Sequence, residues 1–306
     1  MSRLARLQQR VALATLLALV VWLYWSWGRP WGLVLGGVLV LGFGYAFVLA
    51  GEFLAVARVN GRDPTPRAGT LVLARAWWLE VRTAPQVFSW RQPFRWRAWP
   101  DDDVTPAPGR TAVVLVHGFV CNRGLWLPWM RELTARGMPY TSVNLEPVFG
   151  SIDDYIPLID DAVQRAQALT GRAPVLVCHS MGGLAARAWR AATPDADARV
   201  DHIVTIGTPH HGTWLGQFSH VPNGRQMRQD SRWLQELRER EGLRWPQGAY
   251  TGFTCWYSNA DNIVFPASTA TLPGADNRHV PGWPHVAMAF VDEVLEGTLA
   301  FVQSRP

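Results

Sequence analysis

The stretch VLVCHSMGGL, residues 175–184, decides how the rest of the chain is read. Residues 175–178 are apolar or small and suit a short buried strand, and residues 184–192 suit a helix. Between them stand His179, Ser180, Met181, Gly182 and Gly183. A strand that turns sharply into a helix around a serine strains that residue and exposes its hydroxyl. Small neighbours let the strand and helix pack closely there. In the common pattern G-x-S-x-G, a glycine stands two residues before the serine. Here that place holds Cys178, while Gly182 fills the matching place after it. A thiol fits such a turn if the helix sits slightly further off. The plainer alternative is a serine capping a helix.

Outward from this turn the pattern is regular. Residues 112–116 (AVVLV) form an apolar strand ending at His117-Gly118. Further strands are expected at 140–145, 203–206 and 253–257, and helices at 130–136, 156–169 and 286–302. Short apolar strands alternating with helices imply an α/β fold, a mostly parallel sheet covered on both faces. Residues 88–99 alternate aromatic and polar side chains and read as an early strand pair, interrupted by Pro93.

With these elements in order, the chain resembles the α/β-hydrolase superfamily, and within it the bacterial lipase/esterase branch. The resemblance covers roughly residue 111 to the C-terminus. It rests on Val116-His117-Gly118-Phe119, the serine turn, the run IGTPHHGT at 206–213, Tyr257-Ser258-Asn259-Ala260-Asp261, and Pro284-His285. It implies an α/β-hydrolase fold with Ser180 as nucleophile, then an acid, then a histidine. Asp261, in a polar loop directly after a strand, is the favoured acid, and Asp276 in a Pro-Gly-rich loop is its rival. His285 is the favoured general base and His279 its rival. The first of the pair His210-His211 is structural in the family. The family's oxyanion donors fall on the backbone N–H groups of Phe119 and Met181. Residues 212–245 are the expected cap over the site. Cys121 and Cys178 flank the chemistry and read as inert buried thiols. No spacing matches a zinc site, and acyl transfer of this kind asks for no cofactor or metal.

The N-terminal residues lie outside that resemblance. Residues 11–27 and 31–51 are uncharged and almost wholly apolar, joined by Gly28-Arg29-Pro30. As helices they span about 25 and 31 Å, near a bilayer core of about 30 Å. Trp22, Trp25, Trp27 and Trp31 cluster at the join, as an interfacial belt does. The reading is a membrane hairpin over residues 1–55. A cleaved signal peptide and a buried soluble hairpin compete with it. The first lacks a small-residue cleavage site, and the second would need a polar face. A linker with a short amphipathic helix follows over 56–85, and the catalytic domain occupies 86–306. Arg3, Arg6 and Arg10 precede the first run, and Arg58, Arg62 and Arg67 follow the second. The positive-inside rule then puts both ends in the cytoplasm of a bacterial inner membrane.

The whole composition agrees with a folded protein: 306 residues, 48% hydrophobic, 17% charged, net charge +5. The positive charge gathers before residue 100 beside the apolar runs, which favours a membrane flank over a nucleic-acid face. The expectation is therefore a membrane-anchored serine hydrolase of carboxylic, acyl or lipid esters. A non-catalytic scaffold of the same fold, or an acyltransferase or thioesterase with the same triad, are the alternatives.

Overall fold

The computed structural model describes residues 2–101 and 104–305. Among the described residues six strands, all parallel, stand in the order β2-β1-β3-β4-β5-β6. They are β1 (Val113–Val116), β2 (Tyr140–Ser142), β3 (Val175–His179), β4 (His202–Ile206), β5 (Phe253–Tyr257) and β6 (Asp276–His279). From β1 the chain first winds to one edge through β2, then returns past β1 to add β3 and the rest on the other side. The reversal falls between β1 and β3, and a sheet of this kind binds ligands at the carboxyl ends of its strands at such a point.

The sheet is covered on both faces because its strands are apolar on both faces. One core joins Val114, Val116, Leu176 and Cys178 to α5 (Ile156–Thr170) and α6 (Met181–Ala192). The other joins Val113, Leu115, Val175 and Val177 to α4 (Leu127–Ala135) and α11 (Asp292–Gln303). Three shorter or flanking helices complete the outer layer: α7 (Ala196–Arg199), α8 (Pro222–Gln226) and α9 (Arg232–Arg244).

Ahead of the sheet stand α1 (Arg3–Trp25), α2 (Trp31–Val59) and α3 (Thr70–Pro85). The first two are long and apolar enough to cross a membrane. Their two ends behave differently. At the turn Trp25, Trp27 and Trp31 are exposed, whereas Phe53 and Val56 near the end of α2 are buried. Those two pack with Leu73 and Ala76 of α3 and with Ala260 and Phe265 of the loop after β5. The start of α1 is likewise tied down: Gln8 and Gln9 bond to Gln92 and the Pro93 carbonyl, each at 2.7 Å.

Three expectations need correcting. The segment 88–99 is no strand pair: residues Gln86–Arg95 continue α3 as a π-helix. Its buried residues are Val87, Gln92 and Pro93, spaced five and six apart, which matches a wide i→i+5 turn and not a pleat. The final helix is broken into α10 (His285–Met288) and α11, because tight i→i+3 bonds turn the chain at 289–291. Asp276 lies not in a loop but at the start of β6, half-exposed and paired with Arg278 at 2.7 Å.

Candidate active site

The candidate residues each follow the carboxyl end of a strand: Phe119 after β1, Ser180 after β3, Asp261 after β5 and His285 after β6. Ser180 sits at φ 55° and ψ −130°. A non-glycine residue at positive φ is uncommon, and such strain persists only where the surroundings hold it. They do so here. The Ser180 N–H donates to the Ile206 carbonyl at 2.9 Å, and its own carbonyl accepts from the Thr208 hydroxyl at 2.8 Å. A Cβ on Gly182 would stand 2.6 Å from the Val116 carbonyl oxygen, so α6 approaches β1 at a distance only glycine permits. Cys178 meets no such obstacle. Its side chain is fully buried among Met181, Leu184 and Ala185 of the first core. Burial pushes its thiol up, and that of Cys121 up to about 12, so both stay protonated and unreactive.

His285 Nδ1 lies 2.8 Å from Asp261 Oδ2, with both side chains buried. The other Asp261 oxygen accepts the N–H groups of Ile263 and Val264 at 2.8 and 2.7 Å, which fixes the carboxylate. That carboxylate accepts a hydrogen bond from Nδ1–H, which leaves Nε2 as the basic nitrogen. Burial pulls the imidazole down, but Asp261, aided by Glu80 and Glu52, outweighs it and raises the pKa overall. The rivals lie elsewhere. His279 at the end of β6 stacks on Tyr257, with 5.0 Å between ring centroids. His210 is buried against Thr205 and Arg187, within a network that includes the buried pair Arg187–Glu241.

The loop after β1 is held by His117. The Leu145 N–H donates to its Nε2 at 3.0 Å, so Nδ1 carries the proton and donates to the Gly118 carbonyl, also at 3.0 Å. Burial lowers this imidazole to about 4, which keeps it neutral. Gly118 touches the serine: a Cβ there would stand 2.6 Å from Ser180 Cβ. Among the described residues, neither the Phe119 nor the Met181 N–H finds an acceptor. Two unpaired donors beside a serine are what a developing oxyanion needs.

Ser180, His285 and Phe119 line one mostly apolar cavity of about 430 Å³. Part of its wall comes from the N-terminal helices. Tyr45, Val48 and Leu49 of α2 face it, and so do Glu52 and Glu80. No residue of 212–245, the expected cap, lines it. That segment packs instead on the flank, with Met227 and Leu234 in the core beside α6. Trp214 and Leu215 pack at the base of the hairpin, and α2 and α3 stand over the site instead.

Glu52, Glu80 and Asn262 were not legible as site residues in the sequence. Glu52 Oε2 accepts from Asn262 Nδ2 at 2.7 Å, and Asn262 Oδ1 accepts the His285 N–H at 3.2 Å. Glu80 accepts the N–H groups of Val286 and Ala287 at 2.9 and 3.2 Å. Burial raises the Glu80 carboxyl to about 7. One signal existed: Glu52 is the sole acidic residue in the first 62, at the end of an uncharged run. An acid in such a place asks for a function.

Among curated proteins, none matches this sequence. Solved structures do. The mature form of Bacillus licheniformis lipase BlEst2 aligns with a TM-score of 0.56 and 16% identity, over 65% of this chain and 94% of that one. The propeptide form aligns equally well, over 67% and 53%. Aspergillus fumigatus lipase B aligns at 0.47 with 20% identity, over 56% and 45%. At these identities the BlEst2 likeness speaks for the fold. Residues 113–299, more than half the chain, match the alpha/beta hydrolase family, and the protein belongs to that family.

Proposed function

We propose that the protein is a membrane-anchored serine hydrolase that cleaves carboxylic esters carrying an acyl chain. The observation that carries this reading is a strained serine sharing an apolar cavity with an imidazole held 2.8 Å from a buried carboxylate. Ser180 Oγ attacks the ester carbonyl while His285 Nε2 takes its proton. The carbonyl oxygen becomes an oxyanion between the Phe119 and Met181 N–H groups. As the C–O bond breaks, His285 gives that proton to the leaving alcohol, and an acyl-enzyme remains on Ser180. Water, deprotonated by His285, then releases the acid and restores the serine. Asp261 keeps the imidazole in the productive tautomer throughout. The two apolar helices form the anchor, and arginines at both of their outer ends favour a cytoplasmic domain.

The test is fluorophosphonate labelling of isolated membranes. Wild type is expected to label and Ser180→Ala not to, with ester hydrolysis falling by at least about 10⁴-fold. Equal labelling of both proteins means that another serine carries the chemistry. A folded wild type that neither labels nor hydrolyses any ester overturns the reading.

A further inference from the structure

The cavity at Ser180 does not end at its own walls. A second apolar groove, of about 560 Å³, runs along α1 from Leu4 to Leu19. The two share Phe88 and Val120 as lining residues, so they meet there. Val120 stands at φ 52°, a genuine outlier for a β-branched residue. The backbone is thus forced into a strained turn at the junction, directly after Phe119. Strain of this kind gathers where a ligand is clamped.

We propose that the groove along α1 holds the long acyl chain of a bilayer lipid while the ester of that lipid lies at Ser180. The proposal rests on the serine-hydrolase reading above and deepens it to a substrate class. Depth supports it. With the tryptophan-rich turn at the far interface, Tyr45, Val48 and Leu49 lie 14 to 18 residues from Trp31, or about 21–27 Å. A hydrocarbon core is about 30 Å thick, so the mouth of the cavity lies near the top of the acyl region. From that level, near residues 7–11 of α1, the groove follows the helix to Leu19, about 12–18 Å towards the turn, the reach of roughly ten to fourteen methylene groups. A lipid entering sideways keeps the orientation it already has, ester high and chain pointing inward. The exposed Trp78, Trp90 and Phe94 beside the hairpin suit the same interface. In this arrangement the hairpin is a wall of the substrate site as well as an anchor.

The experiment uses the full chain in phospholipid nanodiscs and a long-chain alkyl fluorophosphonate with a diazirine near the chain end. After irradiation, mass spectrometry locates both attachments. The expected result is an adduct on Ser180 and crosslinks on α1 between residues 7 and 19. In a second arm, Ala12→Trp fills the groove. It is expected to slow labelling by the long probe about tenfold and to leave a short ethyl probe within about twofold. Crosslinks confined to 212–245 or elsewhere on the domain, with Ser180 labelled, overturn the groove and leave the hydrolase reading standing. Unchanged long-probe labelling of Ala12→Trp, or labelling of wild type by the short probe alone, does the same. Failure of both probes on folded wild type overturns the hydrolase reading and this inference with it.

Discussion

The two ends of α2 share one helix and one apolar composition, yet they do different work. Phe43 is 52% exposed and meets no core, whereas Phe53, ten residues on, is 5% exposed against α3 and the loop after β5. The outer end carries only apolar and aromatic side chains, next to Arg29 in the turn. The inner end carries Glu52, which accepts from Asn262, the residue that accepts the His285 N–H; the neighbouring α3 carries Glu80, which accepts the Val286 N–H directly. Hydrophobicity alone does not separate an anchor from a structural wall. What separates them is whether the chain supplies a partner surface. For this hairpin it does so only at the base, where Ala260 and Phe265 stand beside the acid loop.

The sharpest way to break this contrast is to cut the same ring from both ends. Phe53→Ala is expected to destabilise the domain by about 3–5 kcal/mol, as cavity-forming aromatic truncations do. Phe43→Ala should change stability by less than about 0.5 kcal/mol. Denaturation in a constant detergent measures both, and equal effects mean that the helix does not divide as described.

Next in size is the linkage between Glu80 and pH. Its folded carboxyl titrates at about 7, against 4.5 for an ordinary glutamate. Between those values the folded state binds the extra proton, so stability falls as pH rises through that window and is level above it. The full change is on the order of 3 kcal/mol. It appears as a pH-dependent difference between wild type and Glu80→Gln that changes most steeply between pH 4.5 and 7 and is level above. Arg29→Gln, at the outer turn, should show no such window.

The smallest effect sharpens the link to catalysis. In the proposed mechanism His285 must be neutral to accept the serine proton, so kcat/KM is expected to fall as pH drops through its raised pKa. Glu80 is one of the charges that raise it. Glu80→Gln should therefore move the acid limb of the kcat/KM profile to lower pH, while Arg29→Gln leaves it in place. An unmoved limb in Glu80→Gln breaks the connection between the hairpin base and the histidine.

Residues 175–184 were enough to read the strand, the turn and the helix, because a nucleophile turn needs small residues at fixed places along one short segment. Asp261 and His285 were legible for a similar reason: each follows directly on a strand or precedes a helix, in the order Ser, acid, His. The two apolar runs were also plain, since twenty uncharged residues leave a simple pattern. Tertiary structure decided what lies across that pattern. The run 88–99 looks like strands because its aromatics alternate, but it winds as a π-helix so that Val87, Gln92 and Pro93 face the domain while Trp90 and Phe94 face out. The segment 212–245 reads as a cap because it lies between two strands, but Met227 and Leu234 pack beside α6, Trp214 and Leu215 at the hairpin base, and α2 and α3 stand over the site instead. Glu52 and Glu80 stand more than two hundred residues before His285, and their hydrogen bonds to Asn262, Val286 and Ala287 are long-range. Local sequence fixes backbone conformation and the sign of burial over a few residues. Which distant carboxylate meets which N–H depends on how separate elements dock, and only the folded chain holds that information.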